Sequence, residues 1–74
     1  MRVLLYGIIA EKAGAAAIDV QAASLGELRL RLAERVPGIE QLSHAIAVDR
    51  QLVRVDMPLS ASEEIAVLPP FAGG

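Results

Sequence analysis

The apolar and polar positions of this chain change period several times, and each change marks an element. Met1 to Tyr6 is a Val/Leu-rich run with no breaker, which predicts a buried strand. Gly7 interrupts it, and Ile8 to Ala13 predict a short helical turn stopped by Gly14. From Ala16 to Gln21 the period becomes two, with Ile18 and Val20 on one face and Asp19 and Gln21 on the other. That is a half-exposed strand, spaced to form an antiparallel hairpin with the first.

A helix follows. Ser24 is its expected N-cap, and Glu27 stands three residues later to complete a capping box. Leu25, Leu28, Leu32 and Val36 recur at helical spacing as one apolar stripe, while Leu30 falls off it and is expected to be partly exposed. Glu27 and Arg31 are four apart, as are Arg31 and Arg35; the first pair supports the helix slightly and the second, of like charge, does not. Pro37-Gly38 ends the helix. Beyond it, Ile39 and Leu42 tuck inward from a loop or single turn over Gly38 to Ser43. Ala45 to Val48 and Leu52 to Val55 read as short strands joined tightly through Asp49-Arg50-Gln51. Asp56 to Leu59 is a turn, Ser60 to Glu63 are polar, and Glu64 to Leu68 is the last strand before Pro69-Pro70 forbids further pairing. The order β, β, α, β, β, β, with one long helix to cover a small mixed sheet, is an α+β architecture and predicts a β-grasp, ubiquitin-like roll. Residues 1–70 form its single domain and 71–74 an extended tail.

Composition narrows what such a domain can do. At 74 residues the chain is near the lower size for a self-supporting core, and with no Cys neither a disulfide nor a cysteine zinc site supports it. Trp is absent and Phe and Tyr occur once each, so Leu, Val and Ile must build the core. A net charge of −2 argues against a dedicated nucleic-acid binder. No window approaches the ~20 apolar residues of a membrane span. Arg2 and the apolar stretch to Ala10 are minimal for a signal peptide, and cleavage would remove the most strand-like segment, so a cytoplasmic location is expected.

The usual catalytic parts are missing: one His, no Cys, and none of the common nucleophile, metal or phosphate motifs. His44 is expected to be a loop His, and Glu63-Glu64 a solvated pair whose side chains point to opposite faces. Asp49 and Asp56 sit where Asp is a routine turn former, and Arg29, Arg31 and Arg35 give the helix a solvated basic flank. Tyr6 reads as a core residue with its hydroxyl near the edge. The ending resists so plain a reading. The last strand runs directly into Pro69-Pro70-Phe71-Ala72-Gly73-Gly74. The prolines favour an extended exit, and six such residues reach about 19 Å at ~3.1 Å each. Glycines without Cβ let another protein close around the arm, which presents the Gly74 α-carboxylate. With a reference pKa of about 3.5 that group is ionised and a poor electrophile until another enzyme activates it, for example as an acyl-adenylate. Alone, a terminal Gly-Gly is equally compatible with a frayed end.

Asp56-x-Pro58-Leu59, followed by Glu64-Ile65-Ala66-Val67-Leu68-Pro69-Pro70-Phe71-Ala72-Gly73-Gly74, closely resembles the C-terminal half of the molybdopterin synthase small subunit, the MoaD-type sulfur carriers. The likeness extends over the first strand and short helix, the capped long helix and Ala47-Val48-Asp49. Members often carry Asn where Asp49 stands and Gly-Asp where Ser62-Glu63 stand, both in turns. The resemblance implies a β-grasp sulfur carrier that is itself non-catalytic and binds no cofactor. An E1-like enzyme would adenylate the Gly74 carboxylate with ATP, and sulfur would replace one oxygen to give a thiocarboxylate. The tail would then enter the large synthase subunit, with Gly73, Phe71 and Pro70 as partner-binding residues, and pass its sulfur to a pterin precursor of the molybdenum cofactor. No nucleic acid, membrane or metal is implied. Three other readings share the fold: the thiazole-synthesis carrier of thiamin assembly, whose tails generally lack the Pro-Pro pair, a ubiquitin-like modifier, and an interaction module without covalent chemistry.

Overall fold

The computed structural model describes residues 1–60 and 63–69. Along the chain come β1 (Arg2–Leu5), α1 (Gly7–Ala13), β2 (Ala17–Asp19), α2 (Leu25–Arg35), a 3₁₀ turn (Ile39–Gln41), β3 (Ala45–Val48), β4 (Gln51–Val53) and β5 (Ile65–Leu68). The strands form one sheet in the order β2-β1-β5-β3-β4. β1 pairs antiparallel with β2, Val3 opposite Ile18. β5 enters between β1 and β3, parallel to β1 with Leu5 opposite Val67, and antiparallel to β3 with Ile46 opposite Val67. Parallel neighbours need a long crossover, and here nearly the whole chain supplies it, carrying α2 over one face. This mixed sheet with its helices is the β-grasp, ubiquitin-like fold.

Strand alternation decides what that covered face contains. Val3 and Leu5, Ile46 and Val48, and Ile65 and Val67 point toward α2 and are buried. They meet Leu25, Leu28 and Leu32 of the helix stripe, with Val36 and Ile39 beyond its end and Ile9 from α1. Truncating a fully buried residue of this kind, such as Leu28, to Ala costs about 2–5 kcal/mol. Leu30 is exposed, as its place off the stripe requires.

The start of α2 is capped more heavily than its own sequence indicates. Ser24 Oγ accepts the Glu27 N–H at 3.2 Å. Glu27 Oε1 accepts from the Ala23 N–H at 2.7 Å, one residue earlier than a capping box requires; Ser24 is instead bridged to Pro58. Asp56 supplies a third acceptor, its Oδ1 taking the Gly26 N–H at 2.8 Å. A helix start leaves four N–H groups without internal partners, and carboxylates suit its positive end. Asp56 is therefore more than a turn former. With Glu27 turned to the cap, Arg31 meets Glu34 instead, at 3.5 Å. Strand limits also move inward: the expected 52–55 strand is Gln51–Val53, and the last begins at Ile65, after Glu64 has given its N–H to Asp49 Oδ1 at 2.8 Å.

Candidate functional site at the exit of the last strand

β5 lies in the middle of the sheet, so the segment after it leaves from the centre of one end of the molecule. Its last ladder pair is Ala45 with Leu68. Pro69, with no N–H to donate, ends the pairing there. On one side β1 turns away at Tyr6 into α1; on the other, β3 begins after His44. His44 Nδ1 lies 2.8 Å from the Leu42 carbonyl, a local loop contact that places its donor proton on that nitrogen. Gly74, Gly73, Phe71 and Pro70, the site residues expected from the sequence, lie outside the described residues.

The sheet face turned away from α2 is the site's second part. Leu4 of β1 and Tyr6 just beyond it, Ala47 and Leu52, and Ala66 and Leu68 line a shallow apolar hollow on it. Tyr6 is 45% exposed and Leu52 55%. Single exposed apolar residues are ordinary; here several lie together beside the exit of the last strand. Here the expected place of Tyr6 in the core is corrected. With Val3 and Leu5 facing the helix, the pleat turns Leu4 and Tyr6 to the open side.

Charged groups sit at the rim of this hollow. Asp49 and Arg50 connect β3 to β4 with φ of 50° and 69°. Two left-handed residues suit a tight hairpin turn, where Asn-Gly is the usual choice. Asp49 tolerates this conformation better than Arg50 does. The turn is tied to the start of β5 twice: Asp49 Oδ1 accepts from the Glu64 N–H, and the Asp49 N–H donates to the Glu64 carbonyl, each at 2.8 Å. Arg50 Nε and Glu64 Oε1 are 3.7 Å apart with both side chains well exposed, so this pair shapes the rim more than it stabilises the fold. Glu63 turns elsewhere, its Oε1 accepting from the Ser60 N–H. The two glutamates do not act as paired carboxylates.

Chemically, this face offers apolar contact area bordered by the charged groups of Arg50 and Glu64. Among the described residues no group of three His, Asp or Glu side chains comes together to hold a metal ion, and no helix is long and apolar enough to cross a membrane. Sequence reasoning missed the hollow because Leu4, Leu5 and Tyr6 form one apolar run, which reads as burial on both faces. The usable signal was Arg54, which shares Leu52's face at strand period two and marks that face as solvated.

Comparison with known proteins agrees with the fold. The ThiS family profile matches residues 3–74. A chain from the complex of subunits 1 and 2 of the molybdopterin-converting factor of Helicobacter pylori is 32% identical, with a TM-score of 0.74, covering 99% of this chain and 96% of that one. Small archaeal modifier protein 1 from Haloferax volcanii is 21% identical with a TM-score of 0.81, over 99% of this chain and 97% of that one. The same protein from Methanosarcina acetivorans is 22% identical with a TM-score of 0.83, over 99% and 94%; at such identities the likeness is one of fold. No curated protein matches significantly.

Proposed function

The chain belongs to the ThiS family of ubiquitin-like carriers, and from that premise we propose that it is the sulfur-carrying subunit of a molybdopterin synthase. The observation that carries the reading is the meeting of two features, since the hollow runs along the open face from Arg50 and Glu64 at the start of β5 to Tyr6 and Leu68 at its end. An apolar docking hollow opens on the face bordered by Tyr6 and Leu68, and the segment leading to Gly74 departs just beyond Leu68. The 32% identity to a chain of the Helicobacter pylori molybdopterin-converting factor complex supports the pathway, and that protein's being a complex supports a large-subunit partner.

Under this reading the carrier contributes position and a reactive end, and its partners contribute catalysis. The Gly74 carboxylate oxygen attacks the α-phosphate of ATP on an E1-like enzyme, and pyrophosphate leaves. A sulfide-level donor then attacks the acyl carbon and AMP leaves, so that one oxygen has been exchanged for sulfur. Docking through the hollow holds the domain while the arm, slender at Gly73, reaches into the large subunit with Pro70 and Phe71 along its path. There the thiocarboxylate sulfur attacks a carbon of the pterin precursor and displaces an oxygen leaving group. Water then hydrolyses the resulting thioester, leaving the sulfur on the precursor and regenerating the Gly74 carboxylate.

The test combines the carrier with an E1-like adenylating enzyme, ATP and a sulfur source, followed by intact-mass analysis and peptide mapping. The expected product carries sulfur in place of oxygen on the last peptide, and a large synthase subunit co-purifies with it. An unchanged mass with an active enzyme refutes the carrier chemistry. An isopeptide conjugate to lysines of other proteins, without a sulfur-exchanged form, would instead identify a modifier.

A further inference from the structure

Helix α1 opens on a residue with two reasons to be glycine. Gly7 has φ +56°, a left-handed conformation in which a side chain is strained. Gly14, at φ +72°, shares that property but has open space where a Cβ would stand. Gly7 does not: a Cβ there would lie 2.9 Å from Cγ of Pro69, and 3.6 and 3.7 Å from its Cβ and Cδ. The ring of the first residue after β5 thus rests on the bare backbone of Gly7.

Both sides of this contact are held firmly. Ile9 is fully buried and pins α1 to the core. The Tyr6 carbonyl accepts from the Ile9 N–H at 3.1 Å and the Ala10 N–H at 3.4 Å, while the Tyr6 N–H donates to the Val67 carbonyl at 3.2 Å. Gly7 is therefore carried on the same rigid frame as the end of β5. We propose that Gly7 is a positioning residue for the C-terminal arm: its missing side chain seats Pro69 and so sets the direction in which the arm leaves the sheet. The proposal deepens the carrier reading and rests on it for its kinetic consequence.

A four-protein cycle tests it, using the full chain as wild type, Gly7→Asn, Pro69→Ala and the double variant. Asn tolerates the left-handed backbone better than other side chains, so Gly7→Asn chiefly blocks the seat. Displacing a reacting group by ~1 Å can cost up to about a hundredfold in rate. Gly7→Asn is expected to lower kcat/KM for ATP-dependent activation by the E1-like enzyme about tenfold or more. The double variant should be no slower than Pro69→Ala alone, because the blocked seat no longer has an occupant. If the two losses instead multiply, or Gly7→Asn activates at the wild-type rate, Gly7 merely builds α1 and the proposal is overturned. Residual dipolar couplings of the Ala72 and Gly73 amides supply a readout that needs no enzyme. They should change in Gly7→Asn and in Pro69→Ala, and unchanged couplings overturn the proposal. A wild-type protein that is never activated sinks the carrier reading alone, with the couplings still deciding the seat.

Discussion

Replacing Leu52 by Asp places a carboxylate in the hollow of the open face, on the edge strand β4, and its cost can be worked out for the free and docked protein separately. Leu52 is 55% exposed, so about half of its side chain is already covered, partly by its cross-strand partner Ala47. Complete burial of a leucine is worth about 1.5–3 kcal/mol. Folding should therefore lose about 1 kcal/mol, which lowers Tm by roughly 4–8 °C in a domain of this size. In a docked complex the remaining half would be buried, and its loss removes about another 1 kcal/mol. The new carboxylate adds a desolvation cost of about 1–3 kcal/mol when left without a partner. Together these give about 3 kcal/mol, roughly a hundredfold in Kd. The matched control is Leu30→Asp on the outer surface of α2, where Leu30 is 67% exposed on the opposite side of the molecule. It should leave Kd within about twofold of wild type, since surface changes outside an interface are small. Isothermal titration of each variant into the co-purifying large subunit, beside thermal unfolding of the free proteins, gives both numbers. Equal weakening by the two substitutions, or unchanged affinity for Leu52→Asp, would refute the assignment of the docking face.

Other substitutions probe the supports of the site. Asp49→Asn keeps a side-chain oxygen for the Glu64 N–H and tolerates φ 50°, so denaturant unfolding should show little change, whereas Asp49→Ala should cost about 2 kcal/mol from a lost bond and a strained backbone. Asp56→Ala removes an acceptor at the start of α2; a loss of about 1 kcal/mol in chemical denaturation is expected, and none would mean that Ser24 and Glu27 suffice as caps. Phe71→Ala is expected to weaken the large-subunit complex by about 2 kcal/mol, roughly thirtyfold, with little change in Tm. A large fall in stability with unchanged affinity would return Phe71 to the core. Deleting Gly74, or adding one residue after it, should abolish sulfur exchange in the intact-mass assay at an unaltered Tm, because a terminal arm adds little to the core.

Local physics made part of this protein legible from its residues alone. The Ser24 cap and the Leu25, Leu28, Leu32 stripe involve neighbours three or four positions apart, which helix geometry places together in any context. The end of β5 was equally readable, since a proline cannot donate to a ladder wherever it lies. The ending from Pro69 to Gly74 raised the expectation of a reactive arm from its own residues, and beyond Pro69 that arm lies outside the described residues. Tertiary structure decided the rest. Pairing β5 between β1 and β3 brought Leu4, Tyr6 and Leu68 together on the open face as one hollow, and a lone apolar run cannot say which of its sides will be covered. Asp56 reached across the chain to cap α2, Asp49 to hold Glu64, and Gly7 to seat Pro69. Each of these contacts joins residues far apart in sequence, and only the closing of the sheet around its last strand brings them within bonding distance.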